Sequence, residues 1–293
     1  MIDFTNSKRI SSKAFNGANG KKIAILYNEE QYMLKFPPSR KDKPTELSYT
    51  NSSISEYISC HIFNMLGIKA QETILGKYVV SDKEKIVCAC KDFTVPNKTL
   101  YDFCSIKNTI IDSEHNGAGT ELAEILEAIE KQDFVEPQKL LDFFWEVFIV
   151  DALVGNFDRH NGNWGFLVDN VTKKSEIAPI FDCGSCLLPQ ADENIIKAVI
   201  NDERELDARI YRFPTSAINL NKKKINFYDY LVAGENKDCN KALKKVYESI
   251  NIKEITDFID GIEALSKLQK NFYKLYISAR YEKILKVAYN KVI

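Results

Sequence analysis

Apolar and polar positions alternate in the first third of the chain and fall at helical spacing in much of the rest. Ile23–Tyr27 and Gln31–Phe36 are short apolar or alternating runs separated by Asn28-Glu29-Glu30, which predicts a strand, a tight turn and a strand. In the second run Met33 and Lys35 share one face, with Leu34 and Phe36 on the other. Pro37-Pro38 ends it, because proline cannot continue a ladder. Ile54, Ile58, Ile62 and Met65 predict a helix over Ser53–Leu66, with Ser52 or Ser53 as its cap and Gly67 after its end. Two further strands are expected over Glu72–Val80 and Lys85–Phe93.

After Pro96 the pattern turns helical. Thr120–Ile129 carries apolar residues at 122, 125, 126 and 129, and Pro137 opens a stronger helix through Val154. A loop over Gly155–Asn163 and short strands over Trp164–Asp169 and Ile177–Phe181 follow. Asn240–Ile250, Ile252–Leu265 and Lys267–Tyr289 read as amphipathic helices. A strand-rich part followed by a helical part predicts an α+β fold of two lobes, 1–95 and 96–293, with the boundary near Phe93–Pro96.

Composition narrows the partners. The 293 residues carry 40 Lys+Arg against 41 Asp+Glu, so the basic excess of a bulk polyanion binder is missing and no nucleic-acid partner is expected. The most apolar stretch, Leu140–Val154, is broken by Asp142, Glu146 and Asp151. A spanning helix needs ~20 mostly apolar residues, so this one belongs in a core and no membrane insertion is expected. The start is polar, without a signal-peptide core. Seven scattered cysteines favour reduced thiols and hence a cytoplasmic setting, with export lacking a signal peptide left open.

The segment richest in chemistry is Gly155-Asn156-Phe157-Asp158-Arg159-His160-Asn161-Gly162-Asn163. Asp158 and Asn163 lie five residues apart on one loop, and Asp182 follows an apolar run nineteen residues later. Hard cations such as Mg²⁺ bind one or two oxygen side chains plus substrate phosphates, which an Asn and an Asp at converging loop ends supply. A separate Asp beside them can take a proton from an attacking hydroxyl. This division of labour is that of kinases.

Here the chain resembles the HipA-like serine/threonine protein kinases, through its Asp-x-His-x-x-Asn loop and an Asp after an apolar strand. The resemblance runs from about residue 7 to 190 and implies a two-lobed, protein-kinase-like fold. It implies that Lys35 contacts nucleotide phosphates and that Glu56 pairs with that lysine. Gly17-Ala18-Asn19-Gly20-Lys21, with Lys22, resembles the family's phosphate-covering loop. The adenine of ATP is expected near the Lys91–Phe93 connection. Asp158 is the expected base, His160 its brace, and Asn163 and Asp182 the Mg²⁺ ligands. The implied partners are a protein with a Ser or Thr acceptor and the chain itself, by autophosphorylation at Ser7, Ser11 or Ser12. The chain starts almost at the nucleotide-binding lobe, so the accessory domain that precedes it in longer members is not expected. Two departures stand out: Arg159, where glycine also occurs, and Cys183-Gly184 in place of Phe-Gly.

Blander readings compete at several positions. Asp158 and Asn163 also suit a plain turn, and Lys35 and Glu56 suit solvated faces. Cys183-x-x-Cys186 lacks a second pair for a metal site and reads as packing, while His115–Gly119 reads as a connector. Two rival functions remain: a phosphoinositide-type lipid kinase, whose local motif is the same, and a nucleotide-binding pseudokinase acting through partner contacts.

Overall fold

The computed structural model describes residues 1–13, 21–38, 50–111 and 116–292. Six strands, β1 (Ile2–Asp3), β2 (Lys8–Arg9), β3 (Lys22–Tyr27), β4 (Glu30–Lys35), β5 (Thr73–Val80) and β6 (Lys83–Lys91), form one sheet in the order β1-β5-β6-β4-β3-β2. All neighbours are antiparallel except β1 and β5. Two of its hairpins close through pairs of residues with positive φ, Asn28-Glu29 and Ser81-Asp82, the backbone that two-residue turns require. Tyr32, Leu34 and Phe36 pack into a small core with Phe4, Ile25 and Tyr78. Met33 and Lys35 point the other way, as the alternation predicts.

Helix α1 (Ser52–Met65) lies against β5 and β6 and joins a second, larger core. The expected serine cap is absent. Asn51 holds the cap position but gives its side chain to the Ala191 carbonyl (2.7 Å), and Ser53 lies inside the helix.

The larger core belongs to helices α2 (Phe103–Ile110), α3 (Leu122–Lys131), α4 (Pro137–Val154), α5 (Glu193–Asn201), α6 (Glu203–Asp207), α7 (Phe227–Ala233), α8 (Lys237–Ser249), α9 (Ile252–Asp260), α10 (Lys267–Arg280) and α11 (Lys286–Val292). Helix α4 is its axis. Glu136 accepts from the Gln138 and Lys139 amides at one end, Pro137 fills the first turn, and Gly155 ends the helix at φ 64°. A Cβ at Gly155 would also sit 2.3 Å from the Tyr276 hydroxyl, so space and backbone both require glycine there. The mixed fold, a β-rich sheet followed by a helical part, is the one the pattern predicts.

Several boundaries differ; the helix expected over Ile252–Leu265, for example, ends at Asp260. Strand β7 (Lys98–Asp102) and α2 occupy a stretch expected to be wholly helical, because β7 finds its partner far along the chain in β8 (Gly165–Asp169). The strand expected over 177–181 is shorter, β9 (Ser175–Ile177), and Ile180 makes only an isolated bridge to Ala70. The long last helix is interrupted by a wide turn at Tyr281–Leu285. Among the described residues no helix is long and apolar enough to cross a membrane.

Candidate active site

Between the sheet and the helical part lies a cleft of about 730 Å³, within the range of ligand sites. Met33 and Lys35 of β4 line one wall, and Asp158, Asn163, Phe181 and Asp182 line the other.

Lys35 reaches across it. Its Nζ lies 2.9 Å from Glu56 Oε2 on α1 and 3.0 Å from Asp182 Oδ1, and the Lys35 and Glu56 side chains are only 12% and 1% exposed. Burial opposes the ammonium charge, yet Asp182 and Glu56 together hold its pKa well above the usual lysine range. Burial pushes the Glu56 carboxyl up, against the pull of Lys35. Glu56 Oε1 is buried and has no hydrogen-bond partner among the described residues.

Asp182, with a side chain 44% exposed, is held at a pKa of about 2 by the Lys35 ammonium. Its φ is 57°, a region uncommon outside glycine but better tolerated by Asp and Asn. Asp158 faces Asp182 from the loop after α4. Burial raises its pKa, and the nearby Asp182 charge adds to the rise. Ser185 donates weakly to its Oδ2 at 3.4 Å. Asn163 donates Nδ2 to the Asp158 carbonyl (2.7 Å), which commits the amide nitrogen, so Oδ1 is the atom of that side chain that could ligate a cation.

The loop is braced by Arg159, which the sequence reading noted only as a departure. It is buried, pairs through Nε with Asp151 Oδ2 (3.1 Å), and donates Nη1 to the carbonyls of Asn163 (3.1 Å) and Phe181 (2.7 Å). Asn156 completes the set, donating to Asp151 Oδ1 (2.8 Å) and accepting from the Asp158 amide (3.0 Å). The available signal was Asp151 itself, a carboxylate in the buried stripe of an apolar helix, which requires a cation. His160, expected as a brace, is exposed and lines the cleft; its Nδ1 accepts from the Gly162 amide (3.0 Å) and its backbone N–H donates to the Asp158 carbonyl (2.8 Å), so it ties the loop to itself. Asn161 was also missed. Its Nδ2 donates to the carbonyls of Gly117 and Gly119 (both 2.8 Å), so the expected plain connector in fact buttresses this loop.

Strand alternation corrects two other expectations. Lys91 pairs in register with Tyr32 and Cys88 with Lys35, so Lys91 lies on the face opposite Lys35. Its ammonium binds Glu30 (2.7 Å) and Glu72 (3.3 Å) and is absent from the cleft lining, whereas Phe93 lines the cleft 5.9 Å from the Phe181 ring. Lys22, opposite Lys35 in register, faces the cleft, while Lys21 lies over the Phe36 ring at 5.7 Å. Gly17, Ala18, Asn19 and Gly20 lie outside the described residues. All seven cysteines are free thiols.

The HipA-like C-terminal domain model matches residues 14–254 of the chain. The chain belongs to this HipA-like family. The match extends past residue 190, where the motif-borne resemblance ends, into the helical tail. The serine/threonine-protein kinase CtkA of Helicobacter pylori strain J99 is 50% identical over 293 residues, covering all of this chain and 89% of that protein. The crystal structure of a Helicobacter pylori proinflammatory kinase CtkA superposes with a TM-score of 0.92 at 48% identity, over 99% of this chain and 98% of that one. Shewanella oneidensis MR-1 HipA, solved with HipB and its operator DNA, shares the fold at a TM-score of 0.56 and 15% identity, over 97% of this chain and 67% of that one. This HipA-like chain is therefore a close homologue of a serine/threonine protein kinase.

Proposed function

We propose that the chain transfers the γ-phosphoryl group of ATP to Ser or Thr hydroxyls of proteins, its own included, with Mg²⁺ as the resident ion. The carrying observation is the Lys35 ammonium held between Glu56 and Asp182, facing Asp158 across the cleft. Residues 1–95 act as the nucleotide-binding lobe and 96–293 as the catalytic lobe.

The donor set fits the ion. Asp182 brings a carboxylate that stays charged, and Asn163 an amide oxygen. Among the described residues no group of three or more His, Cys, Asp or Glu side chains gathers as a metal cage. That is compatible with Mg²⁺, which one or two protein oxygens and substrate phosphates usually hold. When bound, it supplies positive charge against the negative charge that develops on the phosphoryl oxygens. Lys35, fixed by Glu56, holds the phosphates. Phe93 and Met33 border the adenine side. Asp158 orients the acceptor hydroxyl and takes its proton, and its raised pKa makes it a better base than an ordinary surface carboxylate. Most of the rate enhancement is positioning and electrostatics, so the loop brace at Arg159 serves catalysis indirectly. Ser7, Ser11 and Ser12 are the acceptors for self-transfer.

The test is incubation with labelled ATP and Mg²⁺, with a generic basic protein or phosphoinositide vesicles, beside Asp158→Ala and Asp182→Ala. Label on protein Ser/Thr that disappears in both variants is expected. Label on lipid alone, or nucleotide binding without transfer, overturns the proposal.

A further inference from the structure

The chain from Asp182 to Ala191 connects the cleft to a second hollow. Ser185 touches Asp158, and three residues on Leu188, in left-handed backbone at φ 52°, enters the lining of a cavity of about 280 Å³. That is smaller than the ~300–1,000 Å³ of small-molecule sites and suits one large side chain. Its walls are apolar: Leu188, Ala191, Ile195, Ala208 and Phe213.

Three features point to its occupant. Phe213 is 40% exposed, although it is a large apolar residue in a well-packed part of the chain. Its ring lies 5.4 Å from that of Phe157, the residue preceding Asp158. The cavity rim is therefore packed directly against the loop that carries the base. The rim is also cationic. Arg209 is engaged by Glu205 at 2.9 Å, but Arg212 is exposed and has no ion-pair partner among the described residues. Finally, Gln190 borders the cavity, and its Oε1 is buried with no hydrogen-bond partner among the described residues. An orphaned buried acceptor is costly, and a turn of this amide toward the cavity would let a peptide N–H satisfy it.

We infer that this groove binds the acceptor protein. A large apolar side chain a few residues from the target Ser or Thr fills the cavity, an acidic side chain beside it meets Arg212, and a backbone N–H donates to Gln190. The inference rests on the phosphoryl-transfer reading and names the substrate class for it, a Ser/Thr segment that is apolar and acidic.

The experiment is a Ser/Thr peptide library, scanned for Asp, Lys, Leu, Phe and Gly at each flanking position, with the full chain, ATP and Mg²⁺. Arg212→Glu and Phe213→Ala, both surface changes, are compared by kcat and KM, with thermal melts as the folding control. We expect at least a tenfold preference for peptides with an acidic and a large apolar flank. Arg212→Glu raises KM for that peptide about tenfold, leaves kcat within twofold and shifts preference to the Lys-bearing version. Phe213→Ala flattens the apolar preference. Even labelling across the library, or preferences unchanged in both variants, overturns the groove while leaving transfer intact. No label on any peptide while the chain labels itself overturns the groove alone, and no label on peptide or chain overturns transfer and groove together.

Discussion

Arg159 Nη1 lies 2.7 Å from the carbonyl oxygen of Phe181, so the loop that presents Asp158 and the segment after the Ile180 bridge that presents Asp182 are pinned by one guanidinium. Arg159 is held in turn by Asp151, whose carboxyl burial pushes up to about 6 against the pull of that same guanidinium.

Arg159→Met should therefore damage fold and activity together. It leaves Asp151 buried without its cation, and breaking such a pair costs about 3–5 kcal/mol. Urea unfolding should show a loss of that size, and kcat should fall about a hundredfold. Adding Asp151→Asn to Arg159→Met should restore a substantial part of the stability but little of the activity. Equal recovery of both would mean that the brace has no catalytic role.

Lys35→Met and Glu56→Gln separate the phosphate contact from its support. Lys35→Met should lower kcat/KM by about 10²–10³, as losing a placed charge in a dry site does. Glu56→Gln keeps a hydrogen-bonding partner for the ammonium and should cost less, about tenfold, mainly in kcat. A double-mutant cycle on the two should show strong non-additivity. Additive effects would mean that the pair seen here is not the working arrangement.

The pH profile of kcat/KM should have an acid limb set by Asp158. Transfer needs its carboxylate, and burial raises its pKa, so activity should fall with decreasing pH at a point above the ordinary carboxylate range. Asp182, at about 2, stays ionised throughout this window. Ser185 stabilises the ionised form through its hydroxyl, so Ser185→Ala should move the limb to higher pH. A shift to lower pH would contradict this assignment.

Chelation with excess EDTA should abolish transfer and added Mg²⁺ should restore it. Asn163→Ala should raise the Mg²⁺ concentration needed for half-maximal rate by about tenfold, while Asp182→Asn should lower the rate by 10²-fold or more at any Mg²⁺ concentration. Transfer that persists in EDTA would remove both residues from the proposed ion site.

Much of this was readable in the chain because the signals are local. The two-residue periodicity of β4 put Met33 and Lys35 on one face, and Pro137 and Gly155 bracket α4 with a start and a stop signal. The kinase-like order of Lys35, Glu56, Asp158, Asn163 and Asp182 was legible as a motif. The non-local parts were not. Strand β7 depends on a partner more than sixty residues away, and nothing within its own five residues announces that pairing. Lys91 was placed by the expected adenine site and Lys21 by its place in the glycine loop; the pleat puts Lys91 on the other face of the sheet, and Lys21 lies over the Phe36 ring. Arg159 looked like a variable neighbour because its importance lies in what it touches, namely Asp151, Asn163 and Phe181.

The left-handed backbone at Asp182 has a consequence for which letters that position can accept. Two demands meet on a single Cα: a φ of 57°, which glycine and asparagine meet readily, and a short anionic side chain within reach of Lys35. Glycine and asparagine satisfy the first and bring no charge, while glutamate brings charge on a longer, less pre-organised arm. Aspartate meets both at the lowest cost, because its short side chain tolerates this backbone and still ends in a carboxylate. At this point backbone shape and chemistry favour the same residue, which narrows its vocabulary sharply.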